Sequence, residues 1–191
     1  MANSTPRRLL AVISSAVLTT ALALVVTASP AAAACAAGQV VGNSGFESGS
    51  TPWTATSGVI GAFSGQSAHG GTRFAWMDGY GSSHTDTLAQ SVSLPAGCSA
   101  YTLSFWLHID TAETTTSTAY DTLQVRVLNS GGTVLATLAT YSNLNSASGY
   151  TQRSLNLGAY AGQTIQVQFR GVEDASLQTS FVVDDTALNV S

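Results

Sequence analysis

Trp106 and His108 stand two residues apart in a stretch, Tyr101 to Asp110, whose residues alternate in character. Extended chain puts every second side chain on one side, so the indole and the imidazole share a face with Thr102, Ser104 and Asp110. The opposite face is Tyr101, Leu103, Phe105, Leu107 and Ile109, an apolar row suited to a core. Two later alternating stretches present more polar side chains outward. Gln124 and Arg126 oppose Leu123, Val125 and Val127, and Gln166, Gln168 and Arg170 oppose Ile165, Val167 and Phe169. If these strands neighbour one another in one sheet, the seven polar and aromatic groups form a single surface. An aromatic ring stacks on C–H faces, while amides and forked guanidinium donors pair with hydroxyls, which is how proteins hold sugars. The alternative is a plain solvated face, or a loop lying over Trp106.

A second group has metal-ligand character. Asp184 and Asp185 interrupt the apolar run that begins Phe181-Val182-Val183, where unpaired carboxylates are costly. Alternation sends them to opposite faces. With Glu47, from the turn-rich segment Asn43 to Trp53, they supply hard oxygen donors of the kind calcium prefers, although no EF-hand spacing is present. Hydrogen bonds to loop amides would satisfy the same carboxylates.

Catalytic patterns are weaker. His84 and Asp86 lie close in sequence, but the chain has no G-x-S-x-G elbow to present a nucleophilic serine. Asp110, Glu113 and Asp121 flank a Thr-rich loop and could in principle supply a glycosidase carboxylate pair. His69, His84 and His108 lack zinc-ligand spacing. The expectation is a protein that binds and does not catalyse.

The elements that must position these groups begin after a leader. Arg7 and Arg8, the apolar run Leu9 to Thr27 and the small residues Ser29 to Ala34 form the pattern of a secretory signal peptide over residues 1–34. A membrane anchor or a lipidated Cys35 is the lesser reading. The remaining residues, 35–191, are one domain's worth and enough for a real core. The chain has no lysine, and with Arg7 and Arg8 removed its four arginines face ten acids, for a formal charge of −6. Such a chain is a poor partner for nucleic acid or an anionic membrane. Two cysteines, Cys35 and Cys98, are expected to pair in an exported protein, with about 3–5 kcal/mol of stabilisation from closing so long a loop.

Further strands are expected at Val59 to Phe63, Arg73 to Met77, Thr87 to Leu94, Thr133 to Thr140 and Thr151 to Leu157, with Phe181 to Val190 as a strand pair or one bent strand. Asp78-Gly79, Pro95-Ala96-Gly97 and Asn129-Ser130-Gly131-Gly132 are turns. No helical stripe appears after the leader. Eight or more short strands at regular spacing predict an all-β sandwich of jelly-roll type.

The motifs GNSGFESG with a following PW, LPAG before YTLSFWL, and FVVDDTALNV resemble those of the galactose-binding-like jelly roll, a fold that includes many carbohydrate-binding modules. Longer stretches, AWMDGYGSSHTDTLAQSV, HIDTAETTTSTAYDTL, LATYSNLN and EDASLQTSFVVDD, are similar to C-terminal accessory domains of secreted bacterial peptidases of sedolisin type. The resemblance spans residues 35–191. It implies a binding role toward a polysaccharide or glycan, with an extracellular peptidase as the alternative partner. It also implies a structural calcium at Glu47 and Asp184, with Asp185 beside them.

Overall fold

The computed structural model describes residues 1–3 and 34–191. The expected signal peptide therefore falls, but for its ends, outside the described residues. Eleven strands follow: β1 (Gly38–Gln39), β2 (Thr54–Ala55), β3 (Ile60–Gly61), β4 (Phe74–Asp78), β5 (His84–Ser93), β6 (Tyr101–Thr111), β7 (Thr122–Asn129), β8 (Val134–Ser142), β9 (Thr151–Asn156), β10 (Thr164–Glu173) and β11 (Thr179–Val190). They form two antiparallel sheets. One runs β3-β4-β11-β6-β9, with β1 also pairing β11; the other runs β2-β5-β10-β7-β8. Among the described residues no helix is long and apolar enough to cross a membrane.

The inward rows expected for β6, β7 and β10 make the core. Leu103, Phe105, Val125, Val127, Val167 and Phe169 are all buried. Phe105 and Phe169 meet edge to face across the two sheets, with ring centroids 4.9 Å apart. The Asn43–Trp53 turn delivers Phe46 to this core. Asn43 fastens the turn by donating from Nδ2 to Gly49 O and accepting from Ser48 N at Oδ1, and Phe46 lies 5.3 Å from Trp53. Gln90, on the inward side of β5, is buried because it pairs both ways with the Gly42 backbone.

Three local expectations change. The strand read over Val59 to Phe63 shortens to Ile60–Gly61, because Phe63 turns to pack on Phe74 and Trp76. The final apolar segment is one strand with a register shift between Asp184 and Ala187. Asp185 sits in that bulge with φ of 43°, which cancels the alternation that would separate it from Asp184. The two cysteines are disulfide-bonded across 63 residues of sequence, so Cys35 is not a free lipidation site. Such bonds persist in oxidising compartments.

Candidate functional site

The seven residues read as one surface divide between the two outer faces. Trp106 and His108 are on β6, in the first sheet; Gln124, Arg126, Gln166, Gln168 and Arg170 are on β7 and β10, in the second. The condition that all these strands neighbour one another is not met, and no single face carries the set. Strand order is a tertiary fact, and alternation reports only which side of its own strand a residue occupies.

The face bearing Trp106 is roofed by the loop of residues 64–72. His69 stacks on the indole at 4.0 Å and 17° between planes, and Tyr150 meets His69 edge-on at 5.3 Å. Tyr150 donates its hydroxyl to Ser67 O; burial beneath the loop pushes that phenol well above its ordinary range, and Asp184 and Asp185 add to the shift. The His108 ring is bonded through Nδ1 to Gly149 O, and Gln66 donates to Asp110. The roof explains why Val182 and Asp184, on the same outer side, are fully buried. Trp106 is thus spent on holding a loop.

The carboxylates read as metal ligands fasten that same loop. Asp184 Oδ2 accepts from His69 N and Gly70 N at 2.9 and 3.0 Å, and its Oδ1 accepts from Asp185 N. Burial raises the Asp184 pKa, against the pull of these three N–H bonds. Asp185 Oδ2 lies 2.6 Å from His69 Nδ1. Glu47 accepts from Arg73 N and from both Thr72 donors, bonds that hold its carboxyl below the usual range. The donor chemistry suits a hard cation, but the oxygens are occupied by N–H and O–H groups. Among the described residues no three His, Cys, Asp or Glu side chains converge as a metal-binding group.

On the outer face of the second sheet Gln124, Arg126, Gln166, Gln168 and Arg170 are half-buried. Register places Arg170 beside Gln124 and Thr87, and Gln168 beside Arg126 and Ala89. Gln124 and Arg126 in turn neighbour Thr140 and Thr137 on β8. Arg126 donates to Gln168 Oε1 from both Nε and Nη2, which fixes the orientation of that amide. Partial burial lowers the Arg126 pKa, with the nearby charge of Arg170 a further cause. Amides, guanidinium groups and short hydroxyls therefore alternate across four strands.

A third region escaped the sequence reading. At the end of the sandwich where β4 stops, the inward rows of several strands finish in acids. Asp86 is two residues before Leu88, Asp121 two before Leu123, and Glu173 four after Phe169. All three are buried. Asp86 accepts from Asp78 N; Asp121 from Asp174 N and Thr179 Oγ1; Glu173 from the N–H groups of Tyr80, Gly81 and Thr179. Asp78 differs. Its φ of 59° turns the carboxyl against Gly171 of β10, the residue is 5% exposed, and neither oxygen has a partner. Burial, then the charges of Asp86, Glu173 and Asp121, push its pKa up to about 8. The available signal was each apolar inward row continued to its first acid.

His84 Nε2 lies 3.2 Å from the fully buried Asp86, Asp110 is held by Gln66, and Asp121 is enclosed.

No protein-family model matches the chain, and no curated protein does. Solved structures do. The carbohydrate-binding module TmCBM61, solved with β-1,4-galactotriose, aligns over 80% of this chain and 99% of its own, with a TM-score of 0.56 and 22% identity. The fold is a galactose-binding-like jelly roll. Other jelly-roll neighbours are the CBM22-1 xylan-binding domain of Paenibacillus barcinonensis Xyn10C, covering 83% and 97% with a TM-score of 0.53 and 17% identity, and the K3 cleaved adhesin domain of Lys-gingipain from Porphyromonas gingivalis, covering 80% and 99% with a TM-score of 0.57 and 16% identity. At these identities the likeness is one of fold.

Proposed function

We propose that this chain is a secreted, non-catalytic glycan-binding module that holds its ligand on the outer face of the second sheet. The observation that carries the reading is the in-register strip Gln124, Arg126, Gln168 and Arg170, lined by threonine hydroxyls. Paired donors and acceptors at strand spacing suit the repeating hydroxyls of an extended polysaccharide. The neighbours that bind galactotriose and xylan support the class of ligand. The disulfide and the leader pattern support secretion. The test is a titration of folded protein with soluble galactans and xylans, repeated with Arg170→Ala and Gln124→Ala. Binding that weakens roughly tenfold or more in either variant supports the face, at the scale of a lost charged hydrogen bond. Binding untouched by both removes it.

A second reading, in which the chain recruits or inhibits an extracellular peptidase, draws on the motif resemblance and on the adhesin-domain neighbour from Lys-gingipain. Inhibition or capture of a co-secreted peptidase with no glycan binding would favour it. A structural calcium bound by Glu47, Asp184 and Asp185 is part of the proposal, supported by their oxygen chemistry and by their common hold on the 64–72 loop. Melts in calcium and in chelator decide it: a calcium-dependent rise in Tm that Glu47→Ala abolishes is the expected outcome, and coincident melts exclude the ion.

A further inference from the structure

The acid-lined end of the sandwich carries a cleft of about 270 Å³, lined by Gly58, Phe63, Trp76, Asp78, Gly79 and Tyr80. Three features set it apart from the other hollows of the surface. First, its walls are aromatic, with the Tyr80 ring against the His84 ring at 3.9 Å. Tyr80 is 54% exposed, and Phe63 stands edge-on to Trp76 at 5.6 Å. Second, two buried polar groups here have no partner: both oxygens of Asp78 and the indole Nε1 of Trp76. Native interiors leave few such groups. Third, the carboxyl groups of Asp86, Glu173 and Asp121 lie close enough to act on Asp78 by charge, and His84 is the basic side chain paired with the cluster among the described residues. No lysine or arginine lines the cleft.

We propose that this cleft is a second binding site, separate from the sheet face, for an ammonium-bearing sugar such as a deacetylated amino-sugar unit of a glycan. A pyranose ring lies on Tyr80 and Trp76 through its C–H face, and the ring quadrupoles attract the ammonium group. The buried carboxyls beneath act through a poorly screened interior, so their field at the cleft favours a cation and opposes an anionic sugar. The inference shares with the proposed function only the class of molecule, a glycan; the residues are different.

The experiment titrates the whole protein with three oligosaccharides: a β-1,4-glucosamine tetramer, its fully N-acetylated form and β-1,4-galactotriose. Tryptophan fluorescence and calorimetry at about pH 6.5, where amines are protonated, give the affinities. The expected result is that the glucosamine tetramer binds roughly tenfold or more tighter than the acetylated one, and weakens in high salt as a charge-driven contact should. Tyr80→Ala, with circular dichroism as the control for folding, lowers that affinity by a similar factor. Equal affinity for the amine and N-acetyl forms overturns the inference, as does an amine affinity unmoved by Tyr80→Ala. Binding of galactotriose alone overturns this site and leaves the sheet-face reading standing. Silence toward every sugar overturns this site and leaves the sheet-face reading to the galactan and xylan titration.

Discussion

Asp78 makes the stability of the domain depend on pH in a direction opposite to that of most carboxylates. An acid whose folded pKa is depressed stabilises a protein as pH rises; here the folded value is pushed up to about 8 from 3.8. The folded chain keeps the proton over a range in which the unfolded chain releases it. Stability is therefore fully retained below about pH 4, falls as pH rises, and levels off above about pH 8. The slope approaches 1.4 kcal/mol per pH unit, so between pH 5 and pH 7 the domain loses about 2.5 kcal/mol from this group alone. For a domain of this size that is a fall in Tm of roughly 5–10 °C. Urea unfolding followed by tryptophan fluorescence at pH 5, 6, 7 and 8 measures it, and Asp78→Asn is the control because an amide carries no titrating proton. The variant's profile should lose that slope, so that its stability relative to the parent grows from pH 5 to pH 8. Comparing the two chains removes the contributions of Asp184 and Glu113, whose raised values act in the same sense, and of Glu47, whose lowered value acts against it. Parallel profiles for parent and variant would refute the reasoning, since they would mean that Asp78 ionises in the folded protein as easily as in the unfolded one.

Other expectations follow from the roofed face and the disulfide. Trp106→Ala removes the ring on which His69 stacks, and should lower unfolding free energy by about 2 kcal/mol while exposing the 64–72 loop to protease; an unchanged digestion pattern would contradict the roofing role. The same substitution should leave binding to the second sheet's face unaltered, as titration with the same glycan would show. Reducing the Cys35–Cys98 bond should cost about 4 kcal/mol by the entropy of the loop it closes, read as a lower urea midpoint in reductant; equal midpoints would mean that the unfolded chain is already compact there.

The strands were legible because their inner rows are unbroken. Tyr101 to Ile109, Leu123 to Val127 and Ile165 to Phe169 each alternate through a whole strand, and each became a strand with its apolar side inward. The disulfide was legible for a different reason, since the chain has only two cysteines. The site was less so. Whether Trp106 and Arg126 share a face depends on strand order, which is set by long-range packing and leaves no local pattern. The fate of Asp184 and Asp185 hinged on one bulge, and that of Asp78 on one left-handed φ, both of which override the period-two rule. His69 and Tyr150 had no signal of their own, because loop residues acquire neighbours only when the loop comes down on the sheet.

The Cys35–Cys98 bond lies at one end of the sandwich, and there Ser99 and Ala100 also donate to the backbone of Ser191. Strand β6 runs from that end, at Tyr101, to Thr111, which pairs with Thr179 beside the buried acids. Cys35 and Ser191 thus lie at one pole of the sandwich, and the aromatic cleft occupies the other. Grafted into or onto a larger polypeptide, the domain would hang like a bulb from its stem, with the cleft at the tip, farthest from the join.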